Sequence, residues 1–356
     1  MSSKASGAKR PSRPPSSASA SSSSSSQDSQ NTVARADQGG LVLRKLQAAL
    51  LKHTSPEQSL LNCIREACAP TLSSPDFEAK IRKIKQLFFV RDFGGIFNDP
   101  ELVPAYSAEY IPGRALCYRE LFTAHDELRQ VLLKDQGHVF ALGAGAGSEL
   151  VGLVSAMLGI DKFATYMQKR TAASAAADEI PGSEAEKRKL PRLTLHLQDI
   201  ADYSCVLQPL EAAMRTHYRL PETRLTIESS VFDILDESPE AKALLLAHLS
   251  KATLVTAMFI LNELLANNKK DCVRLVTQLV RETAVGSLLL VVDSAGSFSE
   301  VKVGQGNYMI YHLLDSIQGL EVVLKADSQW YRFPEDLNYP LRLNNMRYFL
   351  RLYRRV

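Results

Sequence analysis

Hydrophobic residues fall at helical spacing in the first part of the chain and in short strand-sized runs in the rest. Leu43, Leu46, Leu50 and Leu51 recur with the period of a helix. Ser55-Pro56-Glu57 reads as a cap with proline in the first turn, opening a helix through about Ala67. Pro75-Asp76 starts another, with Phe77, Ile81, Ile84, Leu87 and Phe88 along one side. A further helix is predicted from about Arg114 to Leu133. Residues 38–135 are thus expected to form an N-terminal helical region.

From residue 136 the pattern changes. Apolar runs at His138–Leu142, Leu193–Gln198, Arg224–Ser230, Thr253–Ile260 and Ser287–Val292 read as strands. Helical stretches at Ser148–Leu158, Val206–His217, Pro239–Ser250 and Lys270–Thr283 separate them. Strand followed by helix, repeated, predicts a parallel sheet with helices on both faces and right-handed crossovers. Two last runs, Leu320–Lys325 and Arg347–Tyr353, are joined by the irregular stretch 327–345 and suit an antiparallel edge hairpin. The expectation is one Rossmann-like α/β domain over 136–356, preceded by the helical extension. The stretch 165–192, alanine-rich, charged and proline-broken, reads as a surface insertion between the first helix and the second strand.

Composition alters this picture at the N-terminus. Residues 1–37 are dominated by serine and read as a disordered tail, because nothing there can bury apolar surface. The tail holds five cations and two anions of the chain's 42 and 39, so the remainder is charge-balanced. Its Lys4, Lys9, Arg10 and Arg13 suit either a nuclear-targeting or nucleic-acid tether or a plain solvated segment. Overall charge therefore does not argue for nucleic acid, and any basic surface must come from local clustering. No apolar run is long enough to span a bilayer, and no secretory signal is apparent. The five cysteines are scattered and form no CxxC pair, and the histidines show no ligand spacing, so no metal site is expected.

The densest chemical signal is "FALGAGAGSEL" at residues 140–150. A strand, a glycine turn and a helix start can bring backbone N–H groups close to a nucleotide-like ligand. Gly143, Gly145 and Gly147 give GxGxG, and Ser148 stands where a dinucleotide fingerprint has its third glycine. That favours an S-adenosylmethionine (SAM) site over a nicotinamide site, while tight strand–helix packing alone also calls for glycines. "LTLHLQDI" ends at Asp199, where a carboxylate can accept hydrogen bonds from a ribose, or can simply cap a helix. The third strand ends in Phe232-Asp233, placed to meet an adenine ring and its exocyclic amine. Asn262 and Glu263 follow the fourth strand at the carboxyl edge, beside the first strand, where open α/β sheets bind ligands. They fit either an acceptor-facing pair or an ordinary helix start.

"FALGAGAGSELVGL", "LHLQDIADYS", "MFILNELLANN", "GSLLLVVDSAGSFSEV" and the closing "YPLRLNNMRYFLRLYRR" together resemble the fungal 25S ribosomal RNA uridine-N3 methyltransferases. The resemblance covers most of the chain after about Leu41 and rests on the combination of segments. It implies a class I SAM-dependent methyltransferase fold, with a seven-stranded, mostly parallel sheet and a terminal antiparallel hairpin. It also implies SAM as donor and large-subunit ribosomal RNA, or a pre-ribosome, as acceptor. By position Gly143, Ala144, Gly145 and Gly147 match the cofactor loop, Asp199 the ribose-binding acid and Asp233 the adenine-side residue. Asn262 and Glu263 match the motif after the fourth strand. The acid that many class I enzymes carry two positions before the first glycine is here Ala141. The methionine ammonium must then be held otherwise, with backbone carbonyls as one means.

N3 of uridine carries a proton and lies on the pairing edge, so such an enzyme needs a base and an unpaired or flipped-out nucleotide. Glu263 is the expected base and Asn262 its orienter. Arg347, Arg351 and Arg354 crowd the C-terminus among tyrosines, a pattern suited to phosphate contact and stacking, or to an amphipathic edge strand. Arg114 and Tyr118 precede the sheet and are expected at the cofactor or substrate mouth, with Arg114 a further RNA-binding candidate. A monomer acting in nucleus, nucleolus or cytoplasm is expected. Competing readings are another acceptor, a catalytically inert ribosome-assembly module, and a nicotinamide-dependent oxidoreductase.

Overall fold

The structure, a computed structural model, describes residues 54–160, 191–296, 301–303 and 306–356. The serine-rich tail, the Leu43–Leu51 helix and nearly all of the 165–192 insertion lie outside the described residues.

Helix α1 (Pro56–Ala67) begins where the sequence signals it: Pro56 sits in the first turn and the Ser55 side chain accepts from the Gln58 amide. Its buried face is Leu60, Leu61, Cys63 and Ile64. The short α2 (Ala69–Leu72) leads to α3 (Phe77–Phe89), which buries Phe77, Ile81 and Ile84, and then to the short α4 (Gly94–Phe97). The single helix expected over 114–133 is two, α5 (Val103–Ala124) and α6 (Asp126–Leu133). His125 breaks them with extended backbone (φ −105°, ψ 126°), and Asp126 and Glu127 favour a new helix start there. Helix α5 also begins earlier than expected and runs through Pro112. Its burial from Val103 to Phe122 outweighs the hydrogen bond that Pro112 removes.

The sheet comprises β1 (Gly137–Leu142), β2 (Leu193–Asp199), β3 (Leu225–Val231), β4 (Leu254–Met258), β5 (Leu288–Ser294), β8 (Leu320–Tyr331) and β9 (Met346–Arg355). A small separate hairpin, β6 (Val301–Val303) with β7 (Gly306–Tyr308), was not signalled by the sequence pattern. The order of the large sheet is β3-β2-β1-β4-β5-β9-β8. Strands β1 to β5 pair in parallel, and β9 inserts antiparallel between β5 and β8. This is the mostly parallel sheet with a terminal hairpin of class I methyltransferases.

The intervening helices are α7 over 148–160, α8 (Ser204–Tyr218), α9 (Pro239–Leu249), α10 (Leu261–Asn267), α11 (Lys269–Glu282) and α12 (Ile310–Ser316). Alternate residues of one strand enter opposite cores. Val139 and Ala141 of β1 pack in the core that holds α1, α5 and α8, while Phe140 and Leu142 enter the one that holds α9 and α11. Both faces are covered, as a parallel sheet requires. The strand order reverses between β1 and β4, so the crevice above their carboxyl ends is where such a sheet accepts a ligand.

Candidate active site

The crevice holds a cavity of about 450 Å³, within the usual range for small-ligand pockets. Its floor is the glycine turn. Gly143, Gly145 and Gly147 all have positive φ (57°, 55° and 95°), which only glycine adopts at little cost. The three glycines do different things. A Cβ on Gly143 would overlap the Ile260 side chain, and one on Gly147 would crowd Leu207 and Leu210 of α8. A Cβ on Gly145 would meet nothing nearer than 3.9 Å, so this residue leaves its face open to the cavity. Gly143, Ala144 and Gly145 line the cavity; Gly147 is not among the lining residues, consistent with packing against α8.

Asp199, at the end of β2, is hydrogen-bonded to that turn. Its Oδ2 accepts from the Gly145 amide at 2.8 Å and its Oδ1 from the Ala201 amide at 3.2 Å. A carboxylate has about four acceptor positions, so even with the Ile200 amide also turned toward it, acceptor capacity remains for a ligand hydroxyl. Burial raises its pKa, and those amides pull against the rise. Gln198 beside it ties three strand ends together: Oε1 accepts from the Gly143 amide at 3.3 Å and Nε2 donates to the Phe232 carbonyl at 2.6 Å. Asp233 is exposed and lines the cavity, its Oδ1 accepting from the Leu235 amide at 2.8 Å. Phe232 is not among the lining residues: its ring packs against the core on the α9 side. Ile200 and Ile234 line the cavity there instead.

On the β4 side, Asn262 and Glu263 open α10. The Asn262 amide donates to Asp293 Oδ2 at 3.0 Å and its Nδ2 to the Ser294 carbonyl at 3.0 Å. Asn262 Oδ1 is buried with no hydrogen-bond partner. A lone buried acceptor in a ligand-sized cavity calls for a donor from outside the chain. Asp293, buried at the end of β5, has its pKa pushed up to about 6 by that burial, and the Asn262 and Ser294 donors work against the rise. Burial, then the nearby Asp293 and Asp199 charges, push Glu263 up to about 7. A carboxyl poised near neutrality in a cleft suits proton transfer.

The roof comes from α5. Arg114 Nη1 donates to the Tyr106 hydroxyl at 2.7 Å, and its guanidinium lies 5.2 Å from the centre of the Phe259 ring. Burial opposes its charge, but Tyr106, Tyr118 and Glu149 outweigh it and hold its pKa above the usual range. Arg114 and Tyr118 therefore line the cavity, and Arg114 is held in its wall by Tyr106. Phe259 adopts φ +61°, a strained conformation for an aromatic residue, and stacks on Tyr118. Glu149, the second residue of α7, is 2% exposed and lines the same cavity.

The sequence reading missed Glu149, Gln198, Phe259 and Asp293. Asp293 ends a strand run just as Asp199 does, so the same rule could have found it. The others depend on neighbours remote in sequence. The C-terminal arginines do not act alike either. Arg351, 2% exposed, is ion-paired to Asp315 (3.0 Å) and Asp327 (2.6 Å) and packs on the Tyr311 ring, so it has no fork left for phosphate. Arg347 and Arg354 are exposed, with Arg347 Nε bonded to Ser328 Oγ at 2.9 Å. None of the three lines the cavity.

The model of the family described as "Putative SAM-dependent methyltransferase" matches residues 64–354. The chain belongs to that family. Among curated proteins the methyltransferase is similar to the 25S rRNA (uridine(2843)-N(3))-methyltransferase of Saccharomyces cerevisiae. The two are 28% identical over 324 residues, 85% of this chain and 86% of the yeast protein. Solved structures similar to it include an O-methyltransferase family protein from Burkholderia thailandensis. That pair has a TM-score of 0.43 and 11% identity, covering 80% of this chain and 73% of the other. Another is the N-methyltransferase NodS from Bradyrhizobium japonicum in complex with S-adenosylhomocysteine (SAH). Here the TM-score is 0.36 with 12% identity, covering 74% and 97%. At these scores neither structural likeness bears on the activity.

Family membership sets aside the nicotinamide-dependent alternative, and SAM is the cofactor. The residues present fit it. Gly145 offers an open, positive-φ backbone, Asp199 has acceptor positions to spare, and Asn262 Oδ1 lacks a donor. Five acidic side chains (Glu149, Asp199, Asp233, Glu263 and Asp293) line the cavity with the guanidiniums of Arg91 and Arg114, and an entering cation would favour the ionised form of those whose pKa burial has raised. Among the described residues no cluster of His, Cys, Asp or Glu could hold a metal ion, and no helix is long and apolar enough to cross a membrane.

Proposed function

We propose that the protein methylates N3 of a uridine in large-subunit ribosomal RNA. The observation that carries this reading is Glu263, which lines the cavity at the carboxyl end of β4 with its pKa raised to about 7. It is supported by the 28% identity, across 85% of the chain, to a yeast protein that bears this activity in its name. SAM supplies, when bound, a methyl group on a sulfonium that needs no further activation. What remains is to remove the N3 proton and to place that nitrogen. Glu263 as carboxylate takes the proton, and its raised pKa matches the operating pH. Asn262 is held rigid by Asp293 and Ser294, so its free Oδ1 is fixed toward whatever donor enters. The proposed cofactor residues are Gly143, Ala144, Gly145, Asp199, Asp233 and Asn262.

The RNA-facing surface is proposed to include Arg347 and Arg354, together with Arg332, whose guanidinium lies 5.9 Å from the centre of the Trp330 ring. The acceptor implies action on pre-ribosomes in the nucleus or nucleolus. The test is transfer from labelled SAM to large-subunit RNA lacking the modification, followed by nucleoside analysis. 3-Methyluridine as the labelled product is expected. Label in another nucleoside would refute the acceptor, and intact SAM binding without transfer would indicate an inert ribosome-binding module.

A further inference from the structure

The acid that the resemblance expects before the first glycine is missing, since Ala141 occupies that position. Glu149 offers a carboxylate from the other side of the turn. It is the second residue of α7, and side chains there lean back toward the helix N-terminus, which brings it to the cavity wall. It is 2% exposed, and the hydrogen bond that favours its ionised form comes from its own backbone amide. Its near neighbour in charge is Arg114, with no ion pair between them. The strand order fixes which end of a ligand meets this pair. Asp199 and Asp233 end β2 and β3, on one side of the glycine turn. Arg114 lies over Phe259 at the end of β4, on the other. An adenosine held by the first two acids therefore directs the rest of its ligand toward Arg114 and Glu149. One guanidinium and one carboxylate, both free of each other, complement an α-carboxylate and an α-ammonium.

We infer that Glu149 is the ammonium-binding residue of the cofactor site, and that it gives up a proton when an amino-acid-bearing ligand enters. Burial pushes its carboxyl up to about 8, with Asp199 adding to the rise and Arg114 opposing it. Near pH 7 it is mostly protonated, and an incoming cation converts it to carboxylate. Tyr106 and Tyr118 of α5 also face it but stay protonated, their pKa values raised by burial. Glu263 and Asp293 face the cavity from the β4 and β5 ends. Asp293 has a donor on each oxygen, which leaves Glu263 as the competing source of a proton. The inference rests on the chain's being a SAM-dependent methyltransferase and is independent of the acceptor.

Calorimetry at pH 7.0 in buffers of different ionisation enthalpy counts the protons released. The ligands are SAM, SAH and 5′-methylthioadenosine, which lacks the amino-acid end. SAM and SAH are each expected to release close to one proton, about 0.9 for a group titrating near 8, and methylthioadenosine none. In Glu149→Gln the release disappears. SAM and SAH bind about tenfold more weakly, as for loss of one charge-assisted hydrogen bond, while methylthioadenosine binds unchanged. Release with SAM but not SAH would track the sulfonium and overturn the inference in favour of Glu263. Equal weakening of all three ligands by the variant would reduce Glu149 to a structural role. Binding of all three to the wild-type chain without proton release would sink this inference alone, whereas no binding of any would sink the cofactor assignment with it.

Discussion

The Gly145 amide donates to the Asp199 carboxylate at 2.8 Å, joining two residues 54 positions apart. The cofactor turn and the proposed ribose acid are therefore one unit. Asp199→Ala removes both the proposed ligand contact and the acceptor that holds the turn, leaving the Gly145 amide without its partner. A loss of SAM affinity of at least about tenfold is expected, equivalent to about 1.4 kcal/mol. Titration calorimetry on the folded variant checks it, and wild-type affinity would remove Asp199 from the site.

Glu263 as base must be a carboxylate to accept the N3 proton. Its pKa is raised to about 7, so single-turnover methylation should climb with pH up to about 7 and level off above. Glu263→Gln should lower turnover by about 10²–10⁴-fold and flatten this profile while SAM still binds. An unchanged rate in the variant would exclude it as the base.

Glu149 also makes stability depend on pH. Its pKa is about 8 folded against an ordinary 4.5, so across that window the native state binds more protons than the unfolded one. Stability from this group is present below about 4.5 and is lost as pH rises through about 8. Glu149→Gln stays neutral throughout. In the absence of SAM, its melting temperature relative to wild type should rise steadily from pH 5 to pH 8.5, on the linkage logic. A flat difference across that range would show that Glu149 is charged in the empty site.

Arg351 is a structural arginine. Arg351→Met leaves Asp315, which also accepts from the Tyr353 hydroxyl at 2.6 Å, without its cation. Asp315 is one-third exposed and Asp327 mostly exposed, so water screens the stranded acids and the cost is about 1 kcal/mol, readable as a shift in the urea midpoint. Arg347→Ala and Arg354→Ala should leave that midpoint in place and each reduce the salt dependence of RNA binding by about one phosphate contact. The opposite assignment of effects would restore Arg351 to the RNA surface.

The sequence by itself determined the alternation of strands and helices, because burial on both faces writes apolar runs into each parallel strand. It also marked the glycine turn and the acid ending β2, because positive φ and close backbone approach demand particular residues at those positions. It fixed the start of α1 through Ser55 and Pro56, which act on their own helix. It did not determine where α5 begins or that Pro112 lies within it, since burial by the rest of the fold decides that. Only the tertiary structure decided that Phe232 turns away from the cavity, that Arg351 is consumed by Asp315 and Asp327, and that Glu149 reaches the site beside Arg114. For Arg351 and Glu149 the deciding neighbours lie 24 or more residues away, at positions no local pattern encodes. Desolvation, which sets the charge of Glu149 and Glu263, exists only once the crevice has closed around them.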